Sequence, residues 1–198
     1  DAFPYSIDKT LTFAVNKAKK PGTAIHYITA TPSKELLREV ENKSVISQRF
    51  HGHALPVPRF ESLWNYSKEI QKGKMPRKLN EWTKERMTKG EPFLIFFPTI
   101  ELMEQAVPLF DNIPAVHAED SCRKEKVLML RNKQVQGLLT TTILERGITI
   151  ENLQVAVVGA DEPIFSSSAL IQICGRVGRS SEFPSGDLVL FHHGISTE

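Results

Sequence analysis

From residue 91 onward, short apolar runs alternate with longer stretches in which apolar positions recur every three or four residues. The runs at 93–97, 114–117, 136–140, 155–159 and 187–191 read as strands, since a strand covered on both faces needs no polar alternation. Helical spacing fills the gaps. One helix runs from Pro98-Thr99 to about residue 109, and a second, capped by Asp120 or Ser121, to about residue 132. A third opens at Ser166-Ser167-Ser168. Strand–helix alternation with apolar strands predicts an α/β fold: a parallel sheet with helices on both faces.

The first 90 residues follow another pattern. Residues 8–19 and 33–42 read as helices, with Thr31 placed to cap the second and Pro32 in its first turn. Residues 24–28 read as a strand. One strand and two helices cannot close a sheet, so residues 1–48 are expected to be the tail of a preceding domain. Residues 49–90 are expected to be a connector and basic helical segment: Gly52, Pro56 and Pro58 mark an extended connector or short strand pair, and 64–89 is helical but broken near Gly73 and Pro76. Residues 91–198 form the α/β domain.

Composition adds a polarity to this division. Residues 1–90 carry 17 Lys and Arg against 9 Asp and Glu, and residues 91–198 carry 8 against 14. A basic first half fits nucleic-acid contact; solvated helix faces fit it equally. No apolar run is long enough to cross a bilayer, and no charged-then-apolar leader opens the chain. Cys122 and Cys174 form no C-x-x-C pair, as suits free thiols in a reducing cytoplasm. The six histidines match no established metal-ligand spacing, so no metal site is expected within the chain.

The most specific chemistry lies at Gln172–Arg179, which reads Q-x-x-G-R-x-G-R. On a continuous helix, Gln172, Arg176 and Arg179 stand at i, i+4 and i+7 on one face. Two guanidinium forks and an amide form an array suited to polyphosphate. Gly175 and Gly178 fill the adjoining stripe, where absent side chains allow close approach. A second signal is Thr140-Thr-Thr-Ile-Leu-Glu-Arg-Gly147. Hydroxyls at a strand end can grip backbone phosphate, with Thr141 the candidate, while Glu145, Arg146 and Gly147 mark where the chain turns towards a nucleotide. Thr99 heads a helix and can hold phosphate there or simply cap it. Thr29-Ala-Thr31 follows an apolar run and is a weaker signal, since such hydroxyls commonly cap helices.

The Q-x-x-G-R-x-G-R pattern resembles the element that ends the motor core of superfamily 2 helicases and translocases, whose domains are RecA-like. Residues 27–33 (Y-I-T-A-T-P-S), 49–58 (R-F-H-G-H-A-L-P-V-P), 116–120 (V-H-A-E-D), 140–147 and the arginine segment together resemble the late competence ATPases of the ComFA family. The resemblance spans nearly the whole chain. It implies a RecA-like domain, preceded by a fragment of a first RecA-like domain, from an ATP-dependent single-stranded DNA translocase or helicase. Such a protein acts in DNA uptake during natural transformation, at the inner face of the membrane, beside other competence proteins.

The resemblance further implies that Arg176 and Arg179 serve as arginine fingers, that Gln172 senses the γ-phosphate, and that Gly147, Glu145, Arg146 and Gly175 lie at the nucleotide. It places Thr99, Thr141, Thr29 and Thr31 at the nucleic acid. ATP and Mg²⁺ are the implied cofactors. Yet no G-x-x-x-x-G-K-[ST] loop occurs here, and residues 1–5 look like the stretch beginning at the last acidic residue of a D-E-x-D box. The phosphate cradle is therefore expected in an N-terminal half outside the chain, and the chain alone is expected to be inactive. Two other readings remain open: a duplex translocase of the branch-migration or repair-coupling type, and a non-catalytic nucleic-acid-binding module.

Overall fold

The computed structural model describes residues 9–46, 49–141 and 149–194. The chain divides into two compact units, residues 1–47 and 48–198. In the first, helix α1 spans Lys9–Ala18 and α2 spans Lys34–Glu39. Ser33, not Thr31, is the N-cap of α2: its hydroxyl accepts from the Leu36 amide at 3.1 Å. Thr29 Oγ1 instead accepts from the Thr31 amide at 3.1 Å, a local turn that draws Thr31 away from capping. The strand expected at 24–28 has no ladder partner among the described residues, and Ile28 is 97% exposed. An apolar run makes a strand only where another strand accepts its hydrogen bonds.

The second unit is built on a six-stranded, all-parallel sheet in the order β1-β6-β5-β2-β4-β3. The strands are β1 (Arg59–Ser62), β2 (Phe93–Phe96), β3 (Ala115–Val116), β4 (Gly137–Thr140), β5 (Gln154–Val158) and β6 (Leu188–His192). Helices α3 (Tyr66–Gln71), α4 (Arg77–Lys89) and α5 (Ile100–Ala106) cover one face. Helices α6 (Arg123–Arg131) and α7 (Ser167–Cys174) cover the other.

Strand pleating distributes the core between these layers. Phe93 and Ile95 point into one cluster with Ile70, Leu79, Trp82 and Met103. Leu94 and Phe96 point into the other with Leu130, Ile173 and Val177. All four central residues of β2 are wholly buried, which accounts for the unbroken apolar runs in the sequence. Each such side chain contributes about 2 kcal/mol of burial.

The basic segment has a structural use of its own. β1 lies at the sheet edge beside β6, with Arg59 bonded to Asp187, Glu61 bonded to Lys78 of α4, and Phe60 69% exposed. Its mixed sequence, R-F-E-S, has no apolar run to announce it, and its charges protect the edge. On α4, Leu79, Trp82, Thr83 and Arg86 are buried at helical spacing. Arg86 is 4% exposed and meets Glu85 at 2.5 Å, Glu91 at 3.1 Å and Asp187 at 3.5 Å. Asp187 also accepts from Trp82 Nε1 at 2.7 Å and from Arg59 Nε at 3.0 Å. Burial pushes the Asp187 carboxyl up, but the hydrogen bonds from Arg59 and Trp82 and the charges of Arg59 and Arg86 together hold it below its ordinary value. This network ties β1 and α4 to the start of β6.

Candidate nucleotide and nucleic-acid sites

The parallel strands give the sheet two chemically different edges. At the C-terminal edge, β2 and β4 are direct neighbours, with Phe96 opposite Thr140. The candidates Thr99 and Thr141 therefore follow neighbouring strands at the same edge. Thr99 is exposed and caps α5, its hydroxyl oxygen accepting from the Leu102 amide at 3.1 Å. Capping uses an acceptor lone pair and leaves the O–H to donate. Thr140 is fully buried, and its hydroxyl donates to the Val116 carbonyl at 3.0 Å. Of these two threonines, Thr141 is the partly exposed one. At the same edge, Asp120 accepts from Lys126 Nζ at 2.7 Å and from the Cys122 amide at 2.9 Å, so its carboxylate closes the turn into α6.

The arginine segment departs from the helical expectation. Ser166 caps α7 as the sequence suggests, accepting from the Ala169 amide at 3.3 Å, but the helix ends at Cys174 with Gly175 as its C-cap. Gln172 lies on α7, while Arg176 and Arg179 lie on the turn beyond it. The three do not share one helical face. Gly178 has φ +67°, and a Cβ there would stand 2.2 Å from the Pro184 carbonyl oxygen. Left-handed backbone and close approach, rather than an open helical stripe, account for this glycine. Cys174 is half-buried at the helix end, and burial pushes its thiol up to about 11, which keeps it protonated.

This turn sits near the N-terminal edge of the sheet. A Cβ at Gly186, just before β6, would meet Val177 Cγ1 at 2.7 Å and the carbonyl of Leu153, just before β5, at 2.9 Å. The threonines and the arginine turn thus occupy opposite edges of one sheet. The chain between Thr141 and Thr149 joins them. Glu145, Arg146 and Gly147 fall in that stretch, at 142–148, outside the described residues.

Around the turn, Arg179 Nε donates to the Gly175 carbonyl at 2.9 Å. Its two Nη groups make no bond among the described residues, so they stay available as a fork. Arg176 is only 5% exposed, and Arg179 is the more accessible of the pair. Arg179, Gly175 and Thr149 line a hollow of about 500 Å³, together with Arg49, Phe50 and His51. Sequence reasoning assigned no role to Arg49 and His51, because only the fold brings them across some 127 residues to this turn. Unpaired cationic donors around a hollow of that size fit a polyphosphate. Among the described residues, no three His, Cys, Asp or Glu side chains are gathered to hold a metal ion. Thr29 and Thr31, both partly buried, belong to the other unit.

Comparisons with known proteins agree with the fold. The helicase conserved C-terminal domain family matches residues 74–181. The chain is 43% identical to the competence protein ComFA of Bacillus subtilis strain 168, over 98% of the chain and 44% of that protein. It is 35% identical to competence protein ComFA of Streptococcus pneumoniae R6, over 99% of the chain and 48% of that protein. The chain thus spans about half the length of these curated relatives. Among solved structures, Saccharomyces cerevisiae Dbp5 bound to RNA and ADP BeF3 superposes with a TM-score of 0.68. That match has 18% identity and covers 94% of the chain and 49% of Dbp5, a likeness of fold. No described helix is long and apolar enough to cross a membrane. The chain belongs to the helicase C-terminal domain family, with a RecA-like fold, and over nearly its whole length it resembles the helicase-like part of the competence proteins ComFA.

Proposed function

We propose that this chain is the second motor domain of an ATP-driven single-stranded DNA translocase serving DNA uptake, with a fragment of the first motor domain at residues 1–48. The observation that carries the reading is the free Nη fork of Arg179 facing a cationic hollow, at the sheet edge opposite Thr99 and Thr141. A domain that only bound nucleic acid would need no polyphosphate site on the far edge.

ATP held with Mg²⁺ between this domain and a preceding one supplies the phosphoryl group whose transfer to water drives the cycle. Arg179 donates to its oxygens as charge develops, with Arg176 as the second guanidinium and Gln172 beside them. Gly175 leaves room for the phosphates. Thr99 and Thr141 donate to one nucleic-acid backbone, and Thr29 and Thr31 couple the first domain's half-site to it. The segment bearing Glu145, Arg146 and Gly147 relays nucleotide state from one edge to the other. The phosphate cradle lies in another part of the protein. The protein works on the cytoplasmic side, near the membrane and other competence proteins.

The experiment is ATP hydrolysis by this chain alone and by the chain joined to the remaining half of a full-length relative, with and without single-stranded or duplex DNA. Hydrolysis by the joined form only, stimulated by single strands, supports the reading. Stimulation by duplex alone moves the chain to the branch-migration or repair-coupling class. No hydrolysis in any mixture leaves a binding module.

A further inference from the structure

Two side chains far upstream close on the arginine turn. Arg49 Nη2 donates to the Val177 carbonyl at 2.7 Å, and His51 Nε2 lies 3.1 Å from the carbonyl of the next residue, Gly178. An imidazole nitrogen meeting a carbonyl bonds to it as the N–H donor, which fixes the His51 tautomer. These carbonyls belong to the residues directly before Arg179, so both braces act on the backbone that aims it. Arg49 Nη1 is buried without a hydrogen-bond partner, in contact with the face of Gly178. A Cβ at Gly178 would stand 3.0 Å from that nitrogen, a second reason for glycine there.

The charges reinforce the geometry. Burial, and then the like charge of Arg179, hold the Arg49 guanidinium below its ordinary value. Among the described residues neither guanidinium has an acidic partner within salt-bridge distance, whereas Arg59 and Arg86 both do. Two neighbouring cations over one hollow repel each other until an anion enters.

We infer that Arg49 and His51 are positioning residues of a polyphosphate site: they fix the Val177–Gly178 backbone and so aim Arg179 into the hollow. The inference rests on the reading that Arg179 meets nucleotide phosphate. It extends the site to residues 49–51, outside the matched helicase segment at 74–181.

The test is a double-mutant cycle on the chain as it stands, with inorganic triphosphate as the probe and calorimetric affinity as the readout. Arg179→Ala is expected to weaken binding about 10-fold or more, the loss of one charge-assisted contact. Arg49→Ala should do the same. The double variant should be little weaker than Arg179→Ala alone, because a brace has nothing to aim once its target is gone. His51→Asn, which keeps a donor, should hold more affinity than His51→Ala. If melting shows that Arg49→Ala does not fold, Arg49→Lys carries the cycle, keeping the charge while losing the guanidinium nitrogen that holds the Val177 carbonyl. Losses that multiply in the double variant, or an Arg49 variant that binds as wild type while Arg179→Ala does not, overturn the inference. A wild-type chain that does not bind triphosphate, or an Arg179→Ala variant that binds it equally well, contradicts the underlying reading instead.

Discussion

Gly178 shows how one residue serves both shape and chemistry. Its φ of +67° and its contact with the Pro184 carbonyl leave no room for a side chain. Gly178→Ala should cost about 2 kcal/mol or more in denaturant unfolding, combining left-handed strain with a backbone collision. Equal stability would show that the turn can relax. Asp187 lies at the other extreme, a partly buried carboxylate held by Arg59, Trp82 and Arg86. Its pKa is depressed in the folded state, so its contribution is fully present above its unfolded value of about 4 and fades as pH falls through the lower folded value. Asp187→Asn should lose about 2 kcal/mol near neutrality. The difference from wild type should shrink on acidification, as unfolding curves across pH 2–7 would show. A gap that widens in acid would have the wrong sign. At Arg179, substitution by Ala in the joined protein should lower turnover by about 10³-fold while sparing DNA affinity. Equal loss of both would mean the arginine supports folding rather than phosphate.

At the scale of elements, the sheet was legible where burial erases polarity. β2, β4, β5 and β6 appear as apolar runs within a residue or two of their observed ends, because both their faces are covered. β1 was hidden because an edge strand carrying the charged Arg59 and Glu61 looks like connector. The apolar run at 24–28 misled for the converse reason, having strand composition but no neighbour to pair with. The arginine segment was legible as chemistry and not as geometry: its motif spacing fits a helix, yet the chain leaves α7 at Gly175. The Arg49 and His51 contacts were invisible, since they depend on a tertiary path that no local pattern encodes. Thr99 and Thr141 fall at the same sheet edge only through the pairing of β2 with β4. That pairing predicts a shared role. Thr141→Ala should weaken single-stranded DNA binding several-fold, about 1 kcal/mol for one backbone hydrogen bond, with turnover at saturating DNA nearly intact. Fluorescence anisotropy with a labelled oligonucleotide would measure it, and unchanged affinity would remove Thr141 from the track.

Across the whole molecule, the sheet sets the two proposed sites at opposite edges, with Thr99 and Thr141 at one and the arginine turn at the other. In the proposed motor, phosphate chemistry at one edge is coupled to the grip on nucleic acid at the other. This coupling is what distinguishes a motor from two independent binding sites. Its most direct measurement is ATP turnover by the joined protein, with and without a single-stranded oligonucleotide, for wild type and Arg179→Ala. Strong stimulation by single strands is expected in wild type and almost none in the variant, although both bind the oligonucleotide alike. Turnover that ignores single-stranded DNA, or an Arg179→Ala variant stimulated as fully as wild type, would contradict it.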